Sequence, residues 1–220
     1  GVGGFISPPK EYFTEVARIV HQYGGRYISD EVQTGAGRCG GEFLLSRELG
    51  IDADLLTMAK GFGNGAAIGA TLMTTELSES MAGKLFFNTF GSDPYQTMQA
   101  KVTMDIIRDE KLIENARQQG AHLLDGFREL QKKHRLVGDA RGRGLLLGIE
   151  LVRDRKTKEH APAETSELME LCREKGLLIG KGGLFGNVVR VAPPLTITRG
   201  QCDQLLKVLD ESLHQIEGKA

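Results

Sequence analysis

Leu55-Leu56-Thr57-Met58-Ala59-Lys60-Gly61-Phe62-Gly63-Asn64-Gly65 is a short apolar run that breaks on a lysine and enters a glycine-rich turn. Asp30, thirty positions earlier, breaks a similar run in Ile28-Ser29-Asp30-Glu31-Val32-Gln33-Thr34-Gly35. The first strand is expected over Arg26 to Ser29 and the second over Asp54 to Met58. Between them lie a polar, glycine-rich loop (Gln33 to Gly41) and a short helix near Leu44 to Leu49. Ile68 to Met73 reads as a further strand. Strand, helix and strand at this spacing follow βαβ grammar and imply an α/β fold with a mostly parallel sheet. Ligands of such sheets sit outside the carboxyl ends of the strands, the edge where Asp30 and Lys60 both stand.

Working outward, Pro8 to Tyr23 reads as a helix with Phe13, Val16, Ala17 and Val20 on one face. Ser7 is its expected N-cap, and Gly24-Gly25 ends it. Downstream, Asp93 caps and Pro94 opens a long helix through Ile107. Leu112, Ile113, Ala116, Leu123, Leu124, Phe127 and Leu130 recur at helical spacing. Leu145 to Val152 reads as a buried strand, Glu164 to Lys175 as a helix, Leu177 to Ile179 and Val188 to Val191 as short strands. Gln201 to Ile216 forms a closing helix. The change of character near residues 108 to 112 divides the chain into residues 1–108 and a small α+β domain, residues 109–220.

Composition narrows the function. With 40% hydrophobic and 26% charged residues, the 220-residue chain has the make-up of a soluble domain with a real core. A net charge of -1 gives no reason to expect nucleic acid or an anionic membrane as partner. No apolar stretch nears the roughly 20 residues of a membrane span. Cys39, Cys172 and Cys202 lack C-x-x-C spacing and read as reduced, buried thiols. His21, His122, His134, His160 and His214 form no ligand pair, so no metal is expected. The glycine count of 29 is about twice the ~7% average usage and points to tight turns and close backbone approaches.

A lysine at a strand end can form an imine with an aldehyde cofactor, and a neighbouring carboxylate can keep the ring of that cofactor protonated. That pairing points to pyridoxal 5'-phosphate. A strand-ending Asp-Glu also serves the magnesium site of P-loop ATPases, but G-x-x-x-x-G-K-[ST] is missing here. Gly142-Arg143-Gly144-Leu145-Leu146-Leu147-Gly148 has the wrong glycine spacing for dinucleotide binding, and a strand follows where a helix should begin.

Four segments resemble one family. Ser29-Asp30-Glu31-Val32-Gln33-Thr34-Gly35-Ala36-Gly37-Arg38 is similar to the signature of class III (ω-type) aminotransferases. Met58-Ala59-Lys60-Gly61 with Gly63-Asn64-Gly65 resembles their Schiff-base lysine segment. Asn88-Thr89-Phe90-Gly91-Ser92-Asp93-Pro94 resembles their phosphate-contact loop, and Val189-Arg190-Val191-Ala192-Pro193-Pro194-Leu195-Thr196-Ile197-Thr198 their carboxylate-binding segment. Phe87-Asn88-Thr89-Phe90 and Gly176-Leu177-Leu178-Ile179-Gly180-Lys181-Gly182-Gly183 are most similar to the alanine–glyoxylate aminotransferase 2 branch.

The resemblance implies a fold-type I large domain, mostly parallel, followed by the small C-terminal domain. It implies Lys60 as Schiff-base lysine and proton shuttle, and Asp30 as partner of the pyridine nitrogen. Val32 would pack on a ring face and Gln33 would bond near the phenolic oxygen. Thr89 would meet the cofactor phosphate of a neighbouring subunit, in a homodimer or higher homo-oligomer, and Arg190 would take the substrate carboxylate. The implied reaction moves an amino group from an amino acid such as alanine to a 2-oxo acid such as glyoxylate or pyruvate, in the cytoplasm or the mitochondrial matrix. Ser92-Asp93 departs from the family's usual Gly-Asn, and Cys39 from its usual threonine. Gly1-Val2-Gly3-Gly4-Phe5-Ile6 reads as a start in mid-fold, the C-terminal half of a longer enzyme. An incomplete, non-catalytic fragment and another class III chemistry such as an aminomutase are the alternatives.

Overall fold

β1 (Ile28–Asp30) and β2 (Leu55–Met58) pair in parallel, with Ile28 opposite Leu55 and Asp30 opposite Thr57. In this computed structural model, which describes residues 1–218, both strands belong to a unit of Pro8–Ile113. Gly1–Ser7 and residues 114–218 form a second unit, so the first seven residues pack with the later part of the chain. No helix among the described residues is long and apolar enough to cross a membrane.

In the first unit β3 (Ala70–Met73) lies antiparallel to β2, with Leu55 opposite Met73, whereas the sequence pattern implied a parallel neighbour. The reason is the length of the connection: residues 59–69 form tight turns and supply no crossover helix. The helix α1 (Tyr12–Gln22) begins four residues later than expected and is preceded by Glu11, so Ser7 is not its N-cap. Pro9 disfavours helical geometry at Pro8, which delays the start. The inward face is the expected one, with Ala17 buried and Phe13, Val16 and Val20 half-buried. A four-residue α2 (Leu45–Glu48) links β1 to β2. The short α3 (Thr75–Ser80), not foreseen, is capped by Thr74. α4 (Pro94–Asp109) opens as expected, with Asp93 Oδ1 accepting the Gln96 N–H at 2.9 Å.

Asp54, one residue ahead of β2, ties this unit together. Its carboxylate accepts the Tyr27 N–H at 2.7 Å, meets His21 Nε2 at 2.7 Å and accepts from Arg26 Nη1 at 3.1 Å. The Tyr27 N–H first, then His21 and Arg26, hold its pKa down at about 2.

The second unit is built on an antiparallel sheet. α5 (Leu112–Lys133) leads to β4 (Val137–Arg143), β5 (Leu146–Asp154), β6 (Glu159–His160), α6 (Pro162–Glu174), β7 (Gly180–Gly182), β8 (Val188–Val191) and α7 (Arg199–Glu217). The strand order is β4-β5-β8-β7, and β6 pairs with β5. Leu147, Ile149 and Leu151 alternate along β5 and share a core with Leu123 and Phe127 of α5, Leu168 of α6 and Leu209 and Leu213 of α7. Cys172 and Cys202 are buried in that core and Cys39 is buried in the first unit, all free thiols. Burial pushes the thiols of Cys172 and Cys202 up.

Two strands here differ from expectation. β4 was not foreseen, and β7 falls on Gly180–Gly182 and not on the leucine run before it. Leu178 is exposed, and the glycine strand exists because β8 pairs with it. The Gly142–Gly148 stretch is the β4–β5 hairpin, closed by the two-residue loop Gly144-Leu145 with φ +52° at Gly144. α5 crosses this loop so closely that a Cβ at Gly120 would lie 2.2 Å from the Gly144 carbonyl oxygen.

Two consequences are measurable. Gly120→Ala should cost about 1–3 kcal/mol in chemical denaturation, since backbone on both sides must move. Asp54→Ala should cost about 2 kcal/mol at neutral pH, leaving three donors without their acceptor. The folded pKa of Asp54 lies below its unfolded 3.8, so its contribution is fully present above the unfolded value and is lost as pH falls through about 2. Wild type should therefore lose stability between about pH 5 and 2 by more than Asp54→Ala does, read from thermal unfolding across that range.

Candidate active site

The parallel register sets Asp30 beside Thr57, and Lys60 stands three residues beyond Thr57, past the carboxyl end of the adjoining strand. Asp30 Oδ1 accepts the Val32 N–H at 3.0 Å and the Thr57 hydroxyl at 3.4 Å. Both bonds fall on Oδ1.

Lys60 adopts φ +50°, the left-handed region that a side chain with a Cβ seldom occupies. Ala59 before it is fully extended, and the Lys60 carbonyl accepts the Gly63 and Asn64 N–H groups at 3.0 and 3.1 Å. Phe62 is buried in a small cluster with Met58 and Ala100, which anchors the turn from beneath. Together these hold the backbone of Lys60 in a strained conformation while its side chain is exposed, and its amine makes no ion pair among the described residues. Strain of this kind costs about 1–3 kcal/mol and persists only where the surroundings over-determine it.

Glu31, the residue after Asp30, is a positioning group that sequence reading passed over. Its side chain is 2% exposed and accepts the Ser46 N–H at 2.6 Å and the Thr34 hydroxyl at 2.5 Å. Its own carbonyl accepts the Gly35 N–H. The buried carboxylate thus folds the segment carrying Val32 and Gln33 back against the start of α2. The signal was present as the Asp30-Glu31 pair, in which one carboxylate faces solvent and the next faces inward.

The structure therefore brings Asp30, Val32, Gln33 and Lys60 to one end of the β1–β2 pair. Thr89 lies elsewhere in the same unit, on the loop between α3 and α4. Phe87 and Phe90 flank it and are 81% and 83% exposed, with Leu85 and Phe86 also open to solvent. Arg190 belongs to the second unit, on β8, with its guanidinium carbon 4.7 Å from the centroid of the Phe5 ring. It forms part of the wall of a cleft of about 730 Å³ beside Leu177, Ile179 and Pro193.

The aminotransferase class-III family model matches residues 1–213. The chain belongs to the class III aminotransferases. It is 42% identical over 98% of its length to an alanine–glyoxylate aminotransferase 2 homologue of Arabidopsis thaliana, of which it covers 45%. Against the human alanine–glyoxylate aminotransferase 2 it is 37% identical over 98%, covering 42% of that protein. A solved amine transaminase from an uncultivated Pseudomonas species, in its PLP-bound form, superimposes with a TM-score of 0.91 at 31% identity, over 98% of this chain and 50% of that one. This class III chain thus spans about half the length of the relatives it matches. The family resemblance carried by the four motifs, the branch it pointed to and the fold-type I architecture are all borne out.

Pyridoxal 5'-phosphate is the cofactor of this family. The residues present fit it: a carboxylate oxygen without other duty, an exposed primary amine on the adjoining strand end, and a turn held rigid beneath it.

Removing the buried carboxylate next to Asp30 tests how that end is held. Glu31→Ala should speed hydrogen exchange at the Ser46 amide by about tenfold or more, the loss of one charge-assisted hydrogen bond. Amides of β2 should serve as the internal reference.

Proposed function

We propose that residues 8–113 are the cofactor-binding side of a pyridoxal-phosphate aminotransferase and that Lys60 is its reactive lysine. The observation that carries this reading is the placement of Asp30 and Lys60 at the carboxyl ends of two adjacent parallel strands. The residues from Glu114 onward are read as the small domain that receives substrate.

Bound pyridoxal phosphate supplies an electron sink for the substrate's α-carbon. Asp30 Oδ2 would hold the proton on the ring nitrogen, where a negative charge favours the cationic form. Val32 would pack against one ring face, and Gln33 would bond near the phenolic oxygen. With the cofactor bound, the Lys60 amine would take up and return the substrate's α-proton, which needs a neutral nitrogen for part of the cycle. Arg190 binds the α-carboxylate through its planar fork. Thr89 would reach the cofactor phosphate of a neighbouring subunit. The exposed Leu85, Phe86, Phe87 and Phe90 around it support a loop that another chain covers. The two alanine–glyoxylate relatives favour alanine as donor and glyoxylate or pyruvate as acceptor.

The test uses the full-length protein. With pyridoxal phosphate added, a visible absorption band should form in wild type and be absent in Lys60→Ala, while Asp30→Ala should lower alanine–glyoxylate transamination by 10³-fold or more. A band that survives Lys60→Ala would overturn the lysine assignment. Wild type that forms the band yet leaves alanine and glyoxylate untouched would shift the reading to another class III chemistry.

A further inference from the structure

Arg190 on β8 has glycine across from it on both neighbouring strands, Gly148 on β5 and Gly180 on β7. Cross-strand partners share a face of the sheet, so neither paired position sets a side chain beside the Arg190 stem. Gly182, two residues along β7, is closer still: a Cβ there would lie 2.6 Å from Arg190 Cδ and 3.2 Å from its Cγ. The side chain thus runs in a trench whose floor is bare backbone.

Phe5 fills the end of that trench. Its own Cβ lies 3.6 Å from where a side chain on Gly148 would begin, and its ring is under the Arg190 guanidinium at 4.7 Å. Phe5 is 3% exposed and takes φ +55°, a strained conformation for a bulky residue. Four hydrogen bonds keep it there. The Gly4 and Phe5 N–H groups both reach the Gly1 carbonyl at 3.1 Å. The Gly4 carbonyl accepts Arg141 Nε at 2.9 Å, and the Val2 carbonyl accepts the Gly183 N–H at 3.1 Å. Arg141 is itself fixed by Asp139 and Glu150, each at 2.7 Å. A segment far away in sequence is pinned to this sheet so that one aromatic ring meets one guanidinium.

We propose that Phe5 is a positioning residue whose ring, with the Gly182 backbone, fixes the direction of the Arg190 guanidinium and so tunes affinity for the substrate carboxylate. The proposal rests on the reading of Arg190 as the carboxylate-binding residue. A cation over an aromatic face is held electrostatically, and that contact sets the plane of the guanidinium fork. Without the ring, the long side chain regains rotamers that must be frozen again on binding.

In the full-length protein, Phe5→Leu should raise KM for alanine about three- to tenfold and leave kcat within about twofold, and Phe5→Tyr should restore the wild-type KM. The Arg190 Nε–H proton resonance, shifted upfield by the ring, should move downfield in Phe5→Leu and stay in place in Phe5→Tyr. Gly182→Ala, which displaces the Arg190 stem without touching Phe5, should give the same rise in KM and serves if Phe5→Leu fails to fold. A fall in kcat at constant KM in these variants, or a resonance that Phe5→Leu does not move, would overturn the proposal. Arg190→Gln separates the two readings. If it leaves the alanine KM at the wild-type value, Arg190 is not the carboxylate site, and the resonance alone then reports on the Phe5 contact. If it raises KM while Phe5→Leu does not, Arg190 stands and the positioning role falls.

Discussion

Parallel registration of β1 with β2 is the constraint on which the proposed chemistry depends. Asp30 pairs with Thr57, and that one alignment places a carboxylate and, three residues on, an amine at the same end of the sheet. Side chains alternate along a strand, so a slip of one residue would turn Asp30 to the other face and remove it from Lys60 altogether. Neither strand is long enough to secure this register alone. Asp54 helps by joining Tyr27, His21 and Arg26 just ahead of both strands, and Glu31 closes the loop just after the first. Two buried carboxylates, one at each end, hold a pair of three- and four-residue strands in line.

The residues proposed to carry the chemistry were legible because they break patterns. An apolar run that stops on a charged residue and then meets glycine is visible in one dimension, and the Asp30 and Lys60 segments both do so. Asp93-Pro94 was legible for a related reason, since capping is local chemistry and the structure shows that cap made. β4 was not legible. Val137-Gly138-Asp139-Ala140-Arg141-Gly142-Arg143 has no alternation to read, and its strand state comes from pairing with β5. The direction of β3 was also hidden, because it is set by what an eleven-residue connection can span and not by any residue within the strand. Phe5 was the least legible. Nothing local marks an aromatic near the beginning of the chain as the neighbour of an arginine 185 positions later.

The glycines fall into the same division. Composition showed them to be abundant, but only packing shows what each one does. Gly144 turns a hairpin and Gly120 lets a helix cross it, whereas Gly182 makes room for the Arg190 stem, Gly180 pairs opposite it and Gly148 makes room for the Gly4-Phe5 segment. The first two serve stability, and the last three leave part of the sheet weaker than alanine would make it. A strand such as Gly180-Lys181-Gly182 has low intrinsic preference for its state. It is retained through its pairing with β8, the strand that carries Arg190.

Lys60 and Phe5 share one physical signature, a left-handed backbone at a residue other than glycine. In both cases the backbone is over-determined by hydrogen bonds and the side chain is aimed by it: Lys60 outward to solvent, Phe5 inward against a guanidinium. Glycine would relieve the strain at either position and would remove the only group that matters there. Relaxation of the backbone to ordinary φ would keep the group but point it elsewhere. The strain is therefore the cost of direction, and direction is what the proposed roles, a reacting amine at Lys60 and a carboxylate-binding fork at Arg190, each require. Sites of this kind are more sensitive to changes in the residues that hold the turn, such as Phe62 below Lys60, than their distance from the reacting atoms suggests.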